Sequence, residues 1–191
     1  MKCSEQIFEM IKFILPSLCT IIVAIISSIT VINSTNKSRK EESAKKQQED
    51  LESFFYPFLL RAKKTTQLYS ALSNLVDFNN KSDSSENGCL TYLLSGNSFV
   101  GNAKVLFEQI LENDNKLNEL IINYSNVVSN DQLREKLSKL SAHYTILELT
   151  YKGQLKGDNK VLSKYSFPSE VVDDLEKEVQ RVKTKISKYN K

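Results

Sequence analysis

Lys152, Lys156, Lys160 and Lys164 recur every four residues in the segment YKGQLKGDNKVLSKY, bracketed by Tyr151 and Tyr165. On a helix that spacing puts four ammonium groups on one face, where they repel one another unless an anion or acids answer them. Tyrosine beside cations suits a nucleotide, with the ring stacking on the base and the charge meeting phosphate. Gly153 and Gly157 interrupt the segment. It reads either as an anion-binding element or as a solvated lysine-rich loop.

Other reactive groups are sparse. The one histidine, His143, lies between Leu140 and Leu147 on a helical stripe and reads as a structural residue. Spacing assigns it no Ser or Cys nucleophile. The carboxylate pairs Glu108 and Glu112, and Glu176 and Glu178, sit among cations and read as solvated helix faces. The five glycines, at 88, 96, 101, 153 and 157, match no phosphate loop or dinucleotide pattern. Cys3, Cys19 and Cys89 form no CxxC pair, so neither a disulfide framework nor a zinc site can be drawn from them. The expectation is a protein that is not an enzyme, with no metal and no cofactor.

The elements that must carry these residues begin with a membrane segment. Phe13 to Ile32 (FILPSLCTIIVAIISSITVI) has no charge for 20 residues. A helix of that length spans about 30 Å, the thickness of the hydrocarbon core. Pro16 falls in the first turn of this span, where a missing N–H costs little. The residues before it, MKCSEQIFEMIK, carry Glu5 and Glu9 against Lys2 and Lys12, and no small-residue cleavage site follows, so a retained helix is favoured over a signal peptide. Two cations precede the span, whereas Lys37, Arg39, Lys40, Lys45 and Lys46 follow it. Lys and Arg resist translocation, which predicts an N-terminus outside and a C-terminal domain in the cytoplasm. Thr20, Ala24 and Ser28 recur at four-residue spacing with Ser17 and Ser27 alongside. Such a stripe either lets span helices approach closely into a homo-oligomer, or its hydroxyls bond their own helix.

The rest of the 191 residues suffices for one ordinary domain. Five Gly and three Pro are too few for an all-β chain. The net charge of +3 demands no nucleic-acid partner, though Arg181, Lys183, Lys185, Lys188 and Lys191 bias the C-terminus. They read as a helix end that answers the macrodipole or as a patch for anionic lipid or RNA. The pattern predicts an all-α protein: residues 1–36 a membrane anchor, 37–50 a charged helical stalk, and 51–191 an antiparallel cytoplasmic helical bundle. In the bundle, Pro57 must kink or restart a helix that begins near Leu51, with Ser53 a candidate cap. Phe54, Phe55, Tyr56, Pro57 and Phe58 read as a core anchor. Residues 79–87 read as a polar loop, followed by a short apolar piece from Cys89 to Leu94 and a helix from about Phe99 to Val128. Ser129 and Gln132 have capping-box spacing, and Gly153 is a helix stop. The last helix opens near Pro168 and Ser169, with Val172, Leu175, Val179, Val182, Ile186 and Tyr189 as its stripe.

Phe54–Phe58, AHYTILELTYKG at Ala142–Gly153 and KYSFP at Lys164–Pro168 resemble segments of a scattered group of bacterial proteins with one membrane helix and a small helical cytoplasmic domain. The layout also resembles small membrane effectors of antiphage systems, among them accessory proteins of type III CRISPR loci switched by cyclic oligoadenylates. The resemblance implies an inner-membrane oligomer whose soluble domain senses an anionic nucleotide and whose span perturbs the bilayer. The rival reading is a passive inner-membrane tether or adaptor for a protein partner.

The cation asymmetry around the span makes a direct prediction. A reporter active only in the periplasm, fused after Lys191, is expected to be silent, while a cytoplasmic reporter at the same place is active. Strong periplasmic activity would reverse the orientation.

Overall fold

The computed structural model describes residues 2–76, 78, 86–155, 162, 165, 167–168 and 170–189, with backbone alone at 2–19, 86 and 87. Every regular element among them is helical. Helix α1 spans Lys2–Asp50, α2 Tyr56–Ser73, α3 Glu86–Leu94, α4 Gly101–Tyr124, α5 Asp131–Tyr151 and α6 Val171–Tyr189. These pack as two units. One comprises the chain up to Lys46 with the end of α6 from Ile186, the other Gln47–Lys185.

In the first unit, α1 is long and apolar enough to cross a membrane. Ile21, Ile22, Val23, Ile25, Ile26, Ile29, Val31 and Ile32 are each more than half exposed. They fall on every side of the helix, which therefore has no polar face to turn to water. The helix begins at Lys2, so Pro16 lies in its interior and not in its first turn. The helical N–H that proline removes there is one the ladder would have used.

The second unit opens on a widened turn. Residues Leu51–Phe55 are π-helical, and the Tyr56 N–H reaches back to the Leu51 carbonyl. Pro57 is the second residue of α2 and has no N–H to offer the turn before it. The local shift to longer hydrogen bonds absorbs that missing donor, so the helical path continues instead of restarting, and Ser53 caps nothing. The wide turn also buries two adjacent aromatics together. Phe54 packs against Phe55 at 5.2 Å and Phe58 at 5.6 Å between ring centroids, and all three are fully buried. Tyr56 and Pro57 stay at the surface, so only part of the aromatic run anchors the core.

Side-chain pairings fix how α2, α4, α5 and α6 run. Thr65 meets Asp114 and Arg61 meets Asn113, while Tyr69 and Leu72 share a core with Phe107, Ile110 and Ala103. Increasing numbers on α2 thus meet decreasing numbers on α4. Ser141 bonds Asn118 and Tyr151 bonds Glu108, so α5 runs against α4. Lys136 holds Glu170 and Asp174, whereas Ser129 meets Glu178 and Arg181, so α6 runs against α5. Lys63 pairs with Glu176 and Lys183 sits over Tyr56, which closes the ring with α6 against α2. This is an up-down-up-down four-helix arrangement. Helix α3 covers one end, where an aromatic chain runs Tyr92, Phe99, Phe107, Tyr151 at centroid steps of 5.0, 4.3 and 5.1 Å.

Helix ends follow ordinary chemistry. Asn130, not Ser129, caps α5: its side chain accepts from the N–H groups of Gln132 and Leu133. The Ser129 hydroxyl is engaged instead by Arg181. Gly153 has φ +67 and ends α5 in the left-handed region that suits glycine. On α6 the buried valine of the opening turn is Val171, while Val172 is only half-buried.

Truncating Phe58 to Ala leaves a ring-sized void in this core and is expected to cost about 3–5 kcal/mol. Leu60→Ala, two residues on and exposed, is expected to stay within about 0.5 kcal/mol. Denaturant unfolding followed by circular dichroism checks both; equal losses would contradict the packing of α2.

Candidate functional site

Of the lysine stretch, Lys156, Lys160 and Lys164 lie outside the described residues. Lys152 is exposed just beyond the end of α5 and pairs with Glu148 at 2.6 Å. Tyr151 is half-buried in the last turn of α5. Its ring packs on Phe107 and its hydroxyl donates to Glu108 at 3.0 Å. Tyr165 is 47% exposed, but its carbonyl accepts from His143 Nδ1 at 2.7 Å. His143 lies eight residues before Tyr151, about 12 Å along the helix. The two tyrosines are therefore tied to different turns of α5, and Lys152 and Tyr151 each have a partner on the bundle surface.

His143 is fully buried, beside Tyr144 and edge-on to Phe167 at 5.8 Å. A carbonyl only accepts, so Nδ1 carries the proton and Nε2 is a bare acceptor; no donor reaches Nε2 among the described residues. Burial lowers the imidazole pKa, against the Tyr165 carbonyl, which raises it. The ring stays neutral and ties the segment after α5 to its helix.

On α1, Ala24 and Ser28 are exposed, and the Ser28 hydroxyl donates to the Ala24 carbonyl at 2.8 Å. Thr30 and Thr35 likewise bond carbonyls four residues back. Thr20 is exposed on the same helix. The stripe thus keeps its small size, while the Ser28 donor is used within its own helix.

Three carboxylates divide by environment. Glu108 and Glu112 are exposed, with Glu112 held by Lys116, as a solvated face should be. Glu178 is not on such a face. It is 6% exposed, accepts from Arg181 Nε at 2.6 Å, and shares Arg181 with Ser129. Removing Arg181 would strand a buried charge.

The most constrained polar group belongs to no motif. Asn113 and Asp114 stand side by side on α4 and are 3% and 1% exposed. The Asn113 amide donates to the Arg61 carbonyl at 2.9 Å and to Thr65 Oγ1 at 2.6 Å. Thr65 Oγ1 donates to Asp114 Oδ1 at 3.2 Å, and Arg61 Nη1 faces Asn113 Oδ1 at 3.4 Å. Burial raises the Asp114 pKa to about 8, with hydrogen bonds from Thr65 and Tyr69 pulling the other way. At neutral pH the carboxyl is mainly protonated. A signal existed in the sequence: between Ile110 and Leu117 the helical stripe passes through 113 and 114, where the chain places polar residues.

Among the described residues no group of three or more His, Cys, Asp or Glu is arranged to hold a metal ion. No family model, curated protein or solved structure matches the chain.

Asp114 sets a pH dependence. Its folded pKa lies above the unfolded value of about 3.9, so the native state binds the proton more tightly. The contribution of this group is fully present below about pH 4, is lost as pH rises toward 8, and is gone above, with a slope of at most about 1.4 kcal/mol per pH unit. Asp114→Asn removes the titrating group. Thermal unfolding of both proteins between pH 5 and 9 is expected to show the variant gaining on the parent as pH rises; parallel curves would contradict a buried, titrating carboxyl.

Proposed function

We propose that the protein is a non-enzymatic membrane effector or sensor. In this reading α1 spans the bacterial inner membrane with its N-terminus outside, and the helical domain lies in the cytoplasm. The observation that carries the reading is a helix long and apolar enough to cross a membrane, with a charged stalk and a helical domain after it. The charge excess after the span supports the orientation, and the exposed Ile and Val of α1 support residence in lipid.

The signal is proposed to be an anion met by the lysine stretch from Lys152 to Lys164, and a cyclic oligonucleotide is the form that the resemblance to antiphage effectors suggests. The span would then self-associate through Thr20, Ala24 and Ser28. With the Ser28 donor used internally, that association rests on close backbone packing.

The test reconstitutes the full-length protein in dye-loaded vesicles and adds cyclic oligoadenylates of several ring sizes. One of them is expected to release the dye, and changing Lys152, Lys156 and Lys160 to Glu is expected to abolish release while the protein remains in the bilayer. If no anionic nucleotide triggers release, the tether reading replaces this one. If the substitutions leave release intact, the lysine stretch does not meet the signal.

A further inference from the structure

The surface of α2 carries a groove of about 730 Å³ beside the Asn113 seam. Its wall is Tyr56, Pro57 and Leu60. Leu60 is 74% exposed and Tyr56 38%, whereas the other large apolar residues of α2 are buried or half-buried. Past this wall come Arg61 and Lys64. Neither has a carboxylate within ion-pair distance among the described residues, although their neighbour Lys63 pairs with Glu176 at 2.8 Å. The acids nearby are already engaged. Glu112 is held chiefly by Lys116, with Lys64 a weaker influence. Glu52, at the opposite end of the groove, accepts from the Gln48 amide at 2.6 Å.

Arg61 is also held in place from behind. Asn113, nearly buried at the groove floor, accepts from its guanidinium and donates to its main-chain carbonyl. Such support reduces the entropy lost when a guanidinium binds an anion. Lys183 Nζ covers the Tyr56 ring from the side of α6 at 5.2 Å, which steadies the wall. The distance from Tyr56 to Lys64 is about 12 Å along the helix. The volume lies in the range of small-molecule sites. A single short apolar patch ending in cations does not supply the repeated anchors that a docked helix uses.

We propose that this groove binds a small, free amphiphilic anion, its apolar chain lying along Tyr56, Pro57 and Leu60 and its carboxylate or phosphate head on Arg61 and Lys64. The site uses none of the lysines from Lys152 to Lys164 and does not depend on the sensor reading, since a tether could carry it.

The test is photolabelling of the full-length protein in nanodiscs with a medium-chain fatty acid bearing a diazirine, and with the matching alcohol. Labelled peptides are mapped by mass spectrometry. The acid is expected to label residues 56–60 and the alcohol to label them about tenfold less, the worth of a charge-assisted contact. Arg61→Gln with Lys64→Gln, both at the surface, is expected to reduce labelling by the acid to the level of the alcohol, with an unchanged circular dichroism spectrum. Alkyl phosphate is expected to compete. Equal labelling by acid and alcohol, labelling that survives the double substitution, or labelling confined to the apolar part of α1 would each overturn the proposal.

Discussion

The helical domain depends on the contact between α2 and α4, and that contact is set by one carboxamide. Asn113 satisfies a main-chain carbonyl of α2 and the hydroxyl of Thr65, and Thr65 in turn satisfies Asp114. Apolar ridges alone tolerate sliding by a turn, because one Leu or Ile replaces another at similar cost. A buried amide with two donors tolerates none, since a shifted register would leave polar groups without partners in a low dielectric. The seam gives up some stability, most visibly at Asp114, and in return admits a single register.

Other features follow from that register. It places the aromatics of the π-helical turn under α4, where Phe54, Phe55 and Phe58 close one part of the core. It leaves Tyr56, Pro57 and Leu60 on the outside, because neighbouring positions of a helix face different ways. It holds the Arg61 guanidinium against Asn113 at the surface. The groove and the core anchor are therefore two faces of one short sequence, FFYPFLLR.

Charge organises the periphery. Lys136 joins α5 to α6 through Glu170 and Asp174, and Arg181 and Ser129 join the other end through Glu178. The described C-terminal cations therefore do not form a uniform patch: Arg181 pairs with the buried Glu178 and Lys183 covers an aromatic ring. Exposed pairs of this kind add little stability singly, but they discriminate between helix orderings.

Helix positions were legible in the sequence because their cause is local. The apolar run, the stripes of α4, α5 and α6, and the stop at Gly153 rest on periodicity and backbone preference, which neighbouring residues decide. A cap one residue late at Asn130 and a proline inside α1 are errors at boundaries, where several local solutions differ by little energy. His143 was legible as a core-facing residue because Leu140 and Leu147 flank it on one stripe. The seam and the groove were not legible. Asn113 and Glu178 look like solvated residues until a neighbouring helix covers them, and Tyr56 and Pro57 look like core until α4 takes Phe54, Phe55 and Phe58 instead. Burial of a polar group is a property of two helices in register, and pattern along one chain carries no record of the second. The sequence by itself determined which segments are helical and which one is apolar enough for a membrane. Only the tertiary structure decided which polar groups are buried, which cations are left without a carboxylate, and so where an anion could bind.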